Sequence, residues 1–328
     1  MIRFGIIGTN TITEKFLKAG GQHERFQVTA VYSRTEERAR EFASDQGAKH
    51  SYHSLESFAS STEFDAVYIA SPNSFHAEQA ITCMKQGKHV LCEKPMASNQ
   101  QEVANMIKVA QEEGVALMEA VKSTLMPGFI TLQDHLSKIG RVRRYFGNYG
   151  KYSSRYDAYK EGTVLNAFNP EFSNGSHMDL GIYGVYPMVV LFGAPVSIKA
   201  NGVKLASGVD GQGSIIASYE GLEAVITHSK ITHSYAASEI QGEKGVIVIP
   251  NISEPEDLLI RYNDGTTETL PGRADKDPMF YEIEEFIDLV EQGKQQSSIN
   301  SFEHSLIAAD VLGESRKQMG IAFEADDY

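Results

Sequence analysis

Two short segments of the sequence carry side chains that can move a proton. Glu93-Lys94-Pro95 follows an apolar run, and Asp179 and Tyr183 lie in a segment with helical spacing. On a helix, residues four apart lie on the same face, one turn from each other. A phenol beside an ammonium group loses its proton more readily, because the cation favours the phenolate. Lys94 and Tyr183 are therefore candidates for general acid and base chemistry, and Asp179 for binding a substrate hydroxyl or orienting the tyrosine.

A loop near the N-terminus predicts a phosphate site. Gly8-Thr9-Asn10-Thr11-Ile12 follows an apolar run, and Thr11 with Glu14 forms a capping box that starts a helix. Backbone amides and the dipole at such a helix start attract anions. The usual dinucleotide fingerprint is G-x-G-x-x-G/A. Gly8 fills its first position, while Asn10 and Thr13 replace the other two small residues, and the Asn10 side chain is expected to crowd a pyrophosphate.

The end of the second predicted strand bears on the choice of cofactor. Sites for NAD normally place Asp or Glu there to accept the ribose hydroxyls. Here the residues are Ser33 and Arg34, and no acid occurs before Glu36. A guanidinium binds a 2′-phosphate in a bidentate manner, and Arg38 lies one helical turn further on. These residues favour NADP over NAD, the alternative being a solvated arginine at a helix start.

Other candidate ligands follow the later strands. Ser71-Pro72-Asn73 ends the third clear strand, where it is expected to hydrogen-bond the cofactor, and His76 is either a ligand contact or a packing residue. Lys122, near Glu119, follows the last strand of this region and is a candidate substrate contact. His177 either reaches substrate or caps the helix that carries Asp179 and Tyr183.

The elements that must position these residues fall into two patterns. Up to about residue 121, short apolar runs alternate with amphipathic helices, which is typical of a parallel sheet covered on both faces. After that point, alternating runs are joined by turns such as Asp264-Gly265, which indicates a mainly antiparallel sheet. The predicted fold class is α/β, with a dinucleotide-binding domain over residues 1–121 and an α+β domain over residues 122–328 that has an open sheet.

Composition excludes several classes of protein. The chain has 328 residues, and its 30 basic and 43 acidic residues give a net charge of −13. Such a surface repels nucleic acid and anionic lipid, so neither is an expected partner. No apolar stretch is long enough to span a bilayer. Two cysteines, and His228 and His233 without a third ligand, predict no metal site. A cytoplasmic protein with reduced thiols is expected.

These motifs together resemble the glucose-fructose oxidoreductase/inositol dehydrogenase/rhizopine catabolism (Gfo/Idh/MocA) family over essentially the whole chain. The resemblance is carried by the N-terminal glycine loop, by the Ser-Pro-Asn-x-x-His stretch at 71–76 and by Glu93-Lys94-Pro95. It implies that Lys94 contacts the cofactor and the reacting hydroxyl, and that Glu93 helps to hold the cofactor and the loop. Tyr183 resembles the acid/base residue of the dihydrodiol dehydrogenase branch. The family also has an open antiparallel sheet with helices on one face.

The sequence therefore predicts an NADP-dependent oxidoreductase acting on a sugar, a cyclic polyol or a trans-dihydrodiol. Two alternatives are a nucleotide-sensing protein without turnover and an NAD-dependent glycoside hydrolase of the same fold. An antiparallel sheet with one open face predicts a homodimer or a dimer of dimers through strands between about residues 196 and 262, and the family resemblance implies the same.

Overall fold

The computed structural model describes residues 1–326, which divide into two compact units. The first unit comprises Met1–Ala97, Gln101–Ala120 and Lys276–Ser305, and the second comprises Ser98–Gln100, Val121–Asp275 and the residues from Leu306 onward. The segment Lys276–Ser305 differs from the sequence prediction, which placed everything after residue 121 in the second domain. Its helix packs in the first unit, where the Phe286 ring lies 6.0 Å from the Phe4 ring.

The first unit is a doubly wound sheet of six parallel strands in the order β3-β2-β1-β4-β5-β6. Its strands are apolar on both faces, as in β4, where all four residues are buried. Numbered along the chain, the strands are β1 (Ile2–Ile7), β2 (Phe26–Tyr32), β3 (His50–Tyr52), β4 (Ala66–Ile69), β5 (His89–Glu93) and β6 (Leu117–Ala120). The helices are α1 (Thr11–Gly20), α2 (Glu36–Asp45), α3 (Leu55–Ala59), α4 (His76–Met84), α5 (Gln100–Glu113) and α9 (Phe280–Glu291).

The second unit is built on an eight-stranded sheet in the order β14-β13-β12-β11-β7-β10-β9-β8. Every pair is antiparallel except β7 with β10, so the predicted mainly antiparallel sheet is confirmed. The strands are β7 (Val142–Gly150), β8 (Ser197–Lys204), β9 (Asp210–Tyr219), β10 (Leu222–Ser229), β11 (Ser238–Gly242), β12 (Gly245–Ile249), β13 (Leu259–Tyr262) and β14 (Thr267–Thr269). The helices are α6 (Pro127–His135), α7 (Tyr156–Lys160), α8 (Ile182–Phe192) and α10 (Phe302–Gln318).

Alternation along β9 shows that this sheet buries one face only. Ile215 and Ala217 belong to the core, whereas Ile216 between them is 44% exposed. Helix α8 covers the buried face, and a Cβ at Gly184 would meet the Ile226 side chain at 2.6 Å. The helix can therefore approach the sheet closely because residue 184 is glycine.

A π-helical turn, His177–Gly181, precedes α8, whereas the spacing of Asp179 and Tyr183 predicted an ordinary α-helix over both residues. Such wide turns are frequently found at functional sites. A Cβ at Gly181 would lie 3.2 Å from the rings of both His177 and His228, so the turn packs tightly on β10.

Within residues 1–326, no helix combines the length and apolar character that a membrane crossing requires. In the same range, no group of three or more His, Cys, Asp or Glu side chains has an arrangement that could hold a metal ion.

Candidate active site

The loop between β1 and α1 is held in shape by Gly8 and Asn10. Gly8 has φ +105°, and a Cβ there would lie 2.6 Å from the Ala70 carbonyl oxygen, so only glycine fits without strain. The Asn10 side chain caps α1, since its Oδ1 accepts from the Ile12 amide at 3.0 Å and its Nδ2 donates to the Ala70 oxygen at 2.7 Å. These two hydrogen bonds turn the Asn10 side chain back onto its own loop.

The two arginines after β2, Arg34 and Arg38, make different contacts. Arg38 donates to the Thr9 carbonyl oxygen at 2.9 Å and pairs with Glu41 at 2.8 Å, so it braces the glycine loop. Arg34 is exposed, with its guanidinium carbon 6.0 Å from the centre of the Phe75 ring. The Ser33 amide donates to β3, which fixes the start of this segment. The exposed guanidinium of Arg34, beside Ser33, could therefore hold a phosphate on a ribose.

His76 lies beneath the loop that follows β4. Its ring is completely buried, with Nε2 2.9 Å from the Ser71 carbonyl oxygen and Nδ1 3.0 Å from the Pro95 carbonyl oxygen. Burial lowers the pKa of His76, and the carbonyl acceptors oppose that effect. Of the two roles left open by the sequence, these contacts favour packing, because the ring ties two loops together. Ser71 in turn donates to Gln79 at 2.6 Å, and Pro72 precedes the short turn Asn73–Phe75.

The carboxylate of Glu93 is held by a hydrogen bond from a buried tyrosine. The Tyr68 hydroxyl donates to Glu93 Oε1 at 2.6 Å, and the Tyr68 ring stacks on Phe16 with centroids 3.6 Å apart. Burial, followed by the nearby Glu93 carboxylate, raises the pKa of Tyr68 well above its usual value. The other oxygen of Glu93 accepts from the Lys94 amide at 3.3 Å. The carboxylate therefore fixes the backbone from which the Lys94 side chain extends.

Glu119 supports the same loop from β6. Its Oε1 accepts from the Met96 amide at 2.9 Å, and its own carbonyl oxygen accepts from Asn300 at 3.0 Å. Burial raises the pKa of Glu119 to about 7. The sequence predicted that Glu119 lies with Lys122 at the end of the last strand, as a candidate to face the cleft, and did not predict its contact with the Lys94 loop. The available signal was an acid within β6, where all four residues are buried.

In the second unit, Asp179 is bound by a lysine that the sequence did not predict. Lys230 Nζ lies 2.8 Å from Asp179 Oδ2, and the side chain of Lys230 is only 4% exposed against 37% for Asp179. Tyr183 follows one turn later, and its ring packs edge-on against Tyr149 with centroids 5.5 Å apart. The carboxylate in the π-helical turn and the phenol in α8 are therefore one turn apart, and a buried cation binds the carboxylate.

His177 is a correction to the predicted set of substrate contacts. Its ring is completely buried, with Nδ1 3.3 Å from His228 Nε2 and Nε2 3.1 Å from the Leu312 carbonyl oxygen. Its amide donates to Asp210 at 2.8 Å, and burial lowers the pKa of His177 to about 3. With both ring nitrogens engaged in the core, His177 packs the π-helical turn and does not face substrate.

Lys122, which the sequence also predicted as a substrate contact, has a partner within the protein: its ammonium forms an ion pair with Glu254 in the same unit. A substrate would have to compete with that carboxylate for the lysine.

The first unit brings the predicted nucleotide contacts to one edge of its sheet. Parallel strands β1, β2, β4 and β5 are neighbours in register, so the residues after each strand meet at their carboxyl ends. The residues gathered there are Gly8, Thr9, Asn10, Thr11, Ile12, Ser33, Arg34, Arg38, Ser71, Pro72, Asn73, Glu93 and Lys94. A glycine-lined helix start, an exposed arginine and a lysine at one edge suit a dinucleotide with a phosphorylated ribose.

Family comparisons agree with this reading. Residues 2–121 match the family described as "Oxidoreductase family, NAD-binding Rossmann fold". Residues 136–248 match the "GFO/IDH/MocA C-terminal domain".

Similar proteins with assigned activities extend over the whole chain. The scyllo-inositol 2-dehydrogenase (NADP(+)) IolU of Bacillus subtilis is 57% identical over 326 residues, which cover 99% of each chain. The trans-1,2-dihydrobenzene-1,2-diol dehydrogenase of Mus musculus is 30% identical over 339 aligned residues, again 99% of each. Among solved structures, the 3-ketoreductase KijD10 of Actinomadura kijaniata, in complex with NADP and TDP-benzene, has a TM-score of 0.85 at 23% identity, covering 97% of this chain and 98% of that one. At 23% identity, the similarity to KijD10 shows that the two proteins share a fold.

Proposed function

This chain belongs to the Gfo/Idh/MocA family of NAD(P)-dependent oxidoreductases, and we propose that it interconverts an inositol-type cyclic polyol and the corresponding ketone with NADP as cofactor. The observation that carries the proposal is the 57% identity to a scyllo-inositol 2-dehydrogenase along 99% of both chains. Relatives acting on a trans-dihydrodiol are 30% identical or less, so that substrate class is the second candidate.

The residues after β2 support NADP as the cofactor. Arg34 is exposed beside Ser33, and the sequence offers no acid there to accept ribose hydroxyls. A charged guanidinium hydrogen-bonds a 2′-phosphate strongly, whereas the ribose of NAD lacks that partner. Gly8, at φ +105° and close to Ala70, leaves the loop without a side chain where a pyrophosphate would approach.

Bound NADP supplies the hydride acceptor, and the chain supplies the proton and charge chemistry. Tyr183, as phenolate, accepts the proton of the reacting hydroxyl, while the Lys94 ammonium hydrogen-bonds the same oxygen and stabilises its negative charge. The carbinol C–H bond then breaks and a C=O bond forms at that carbon. Asp179 accepts a hydrogen bond from a neighbouring hydroxyl. In the direction of reduction, Tyr183 returns the proton to the oxygen.

Steady-state assays with the purified protein test this proposal. We expect scyllo-inositol to be oxidised with NADP at a higher kcat/KM than with NAD, as followed by the absorbance of the reduced nicotinamide. Lys94→Met is the matched inactive control. Preference for a trans-dihydrodiol would move the chain to the second candidate class. Cofactor binding without turnover would support a nucleotide sensor, and release of free sugar from a nitrophenyl glycoside without net NADH would support a hydrolase.

We further propose that the chain forms a homodimer through the open face of the second sheet. A cross-strand row on that face joins Ile216 to Val225 and Val225 to Phe146. Ile216 is 44% exposed, and Val225 and Phe146 are partly exposed. Apolar side chains in a row on one sheet face are typical of a surface that a second copy covers.

A further inference from the structure

The ammonium group of Lys230 is surrounded by three oxygen acceptors. Nζ lies 2.8 Å from Asp179 Oδ2, 3.2 Å from Asn174 Oδ1 and 3.3 Å from the Ala167 carbonyl oxygen. An ammonium has three N–H donors, so these acceptors account for all of them. Lys230 is 4% exposed and also lies 5.6 Å from the centre of the Phe168 ring. A lysine in this state cannot hydrogen-bond a substrate unless one of the three contacts breaks.

The contacts of Lys230 join three parts of the second unit. The residue directly follows β10, and its amide donates to the Gly211 carbonyl oxygen of β9 at 2.8 Å. Asp179 belongs to the π-helical turn His177–Gly181, and Ala167 and Asn174 belong to the segment that leads to this turn. The lysine therefore fixes the position and the orientation of the Asp179 carboxylate relative to the sheet.

Burying an ammonium costs free energy that an ion pair recovers only with good geometry and full hydrogen bonding. A matched apolar residue would fill the same space without that cost. Asp179, in contrast, is 37% exposed. Its carboxylate is bound by the buried ammonium on one side and still presents part of its surface to solvent. An ionised carboxylate only accepts hydrogen bonds, so its partner outside must be a donor such as a hydroxyl.

We propose that Lys230 is a positioning residue for the reaction: its buried ammonium holds the Asp179 carboxylate so that this group accepts a hydrogen bond from a substrate hydroxyl next to the reacting carbon. The inference rests on the proposed function, in which Asp179 binds the polyol. It also narrows the substrate class to polyols that carry a hydroxyl donor next to the reacting carbon.

A double-mutant cycle with Lys230→Met, Asp179→Asn and the double variant tests the coupling, with scyllo-inositol as probe. Methionine keeps the length of the lysine stem and removes the charge. Loss of a hydrogen bond to a charged group reduces affinity about ten- to a hundredfold. We expect Lys230→Met to raise the KM for scyllo-inositol by that order, to change kcat by less than about threefold and to leave the Kd of NADPH unchanged, as loss of ground-state binding does.

The double variant should have the same KM as Asp179→Asn alone, because Lys230 acts through the carboxylate. Lys230→Arg, which keeps the charge, should recover part of the KM. Lys108→Met is the matched control, since the exposed Lys108 pairs with Glu112 at 3.7 Å on the outer face of α5 and its replacement should change no constant. An unchanged KM in Lys230→Met, additive effects in the double variant, or an equal loss of NADPH affinity would overturn the proposal.

Thermal unfolding provides a readout that does not depend on turnover. Asp179→Asn leaves the buried ammonium without its counterion, so this variant should melt below the wild type, and Lys230→Met in the same chain should restore part of the loss. A double variant that melts no higher than Asp179→Asn would contradict the inference even if Lys230→Met alone fails to fold.

The inference alone is rejected if the wild type turns over scyllo-inositol and Lys230→Met has the same KM as the wild type. A wild type that oxidises no polyol rejects the proposed function and, with it, the role of Asp179 toward substrate.

Discussion

His76 and Glu119 hold the two ends of a single peptide group, the one that joins Pro95 to Met96. His76 Nδ1 lies 3.0 Å from the carbonyl oxygen of that group, and Glu119 accepts from its N–H at 2.9 Å. Both side chains are buried and both are titratable. The backbone next to Lys94 is therefore fixed by side chains from α4 and β6, so the position of the proposed catalytic lysine depends on residues outside its own loop.

Glu119→Gln should remove a pH dependence of stability. Burial raises the pKa of Glu119 from 4.5 to about 7, so the folded protein binds this proton more tightly than the unfolded chain. Its contribution is fully present below about pH 4.5 and is lost as the pH rises to about 7, a change of about 3 kcal/mol. Glutamine still accepts from the Met96 amide but does not titrate. Urea unfolding of both proteins from pH 5 to pH 8 measures the difference, and parallel profiles would contradict the assignment.

Arg34→Ala should weaken NADP binding and spare NAD. A charge-assisted contact to phosphate contributes about 1.5–3 kcal/mol, which is roughly ten- to a hundredfold in Kd. Fluorescence titration with NADPH and NADH gives both constants. Arg40→Ala is the matched control, because Arg40 is also exposed and lies on α2. An equal loss for both cofactors would show that Arg34 does not contact the 2′-phosphate.

Tyr183→Phe should reduce kcat by about 10²–10⁴-fold, the usual contribution of a general acid or base. The ring that packs on Tyr149 is kept, so the fold and the Kd of NADPH should survive. The ionisation of the proton-accepting group should also disappear from the pH profile of kcat/KM. Tyr235→Phe, at a residue that is 95% exposed, is the control. A variant that retains its rate would make Tyr183 structural and leave Asp179 as the candidate for the proton.

Ile216→Lys should dissociate the proposed dimer. Burying one isoleucine contributes about 1.5–3 kcal/mol, so a lysine in the apolar row of the open face should raise the dimer Kd by at least about tenfold. Light scattering at micromolar concentration measures the mass of each protein. Val164→Lys, at a side chain that is 47% exposed outside the sheet, is the control. A wild type that is monomeric at this concentration would remove the basis of the proposal.

The elements with a clear hydrophobic pattern were predictable from sequence. Runs such as Ala66–Ile69 are apolar at every position, and this pattern indicates a parallel strand buried on both faces. Strand β3, His50–Tyr52, was not predicted, because it has three residues and none is buried. The π-helical turn was also missed, since a periodicity argument does not distinguish it from the first turn of α8.

The candidate site was predictable where a motif carries it and not where distant residues meet. Lys94, Asp179 and Tyr183 belong to local motifs, but Lys230 lies 51 positions after Asp179 and becomes its partner only through the pairing of β10 with its neighbours. His177 misled the prediction for the same reason. Its neighbours in sequence indicated a site, whereas its ring contacts His228 and Leu312, which are remote along the chain.

The return of Lys276–Ser305 to the first unit sets an order of events during synthesis. Arg25 pairs with Asp288 at 2.8 Å and Glu291 at 2.6 Å, and the Leu117 amide of β6 donates to Gln295. The nucleotide-binding unit therefore lacks one helix and part of its core until the ribosome has passed residue 305 and α9 has left the exit tunnel. At a translation rate of about 5–20 residues per second, many seconds pass between the synthesis of the first 120 residues and that of the segment that completes their unit. A nascent chain stalled before that point should be sensitive to protease even though all six strands of the sheet have been made.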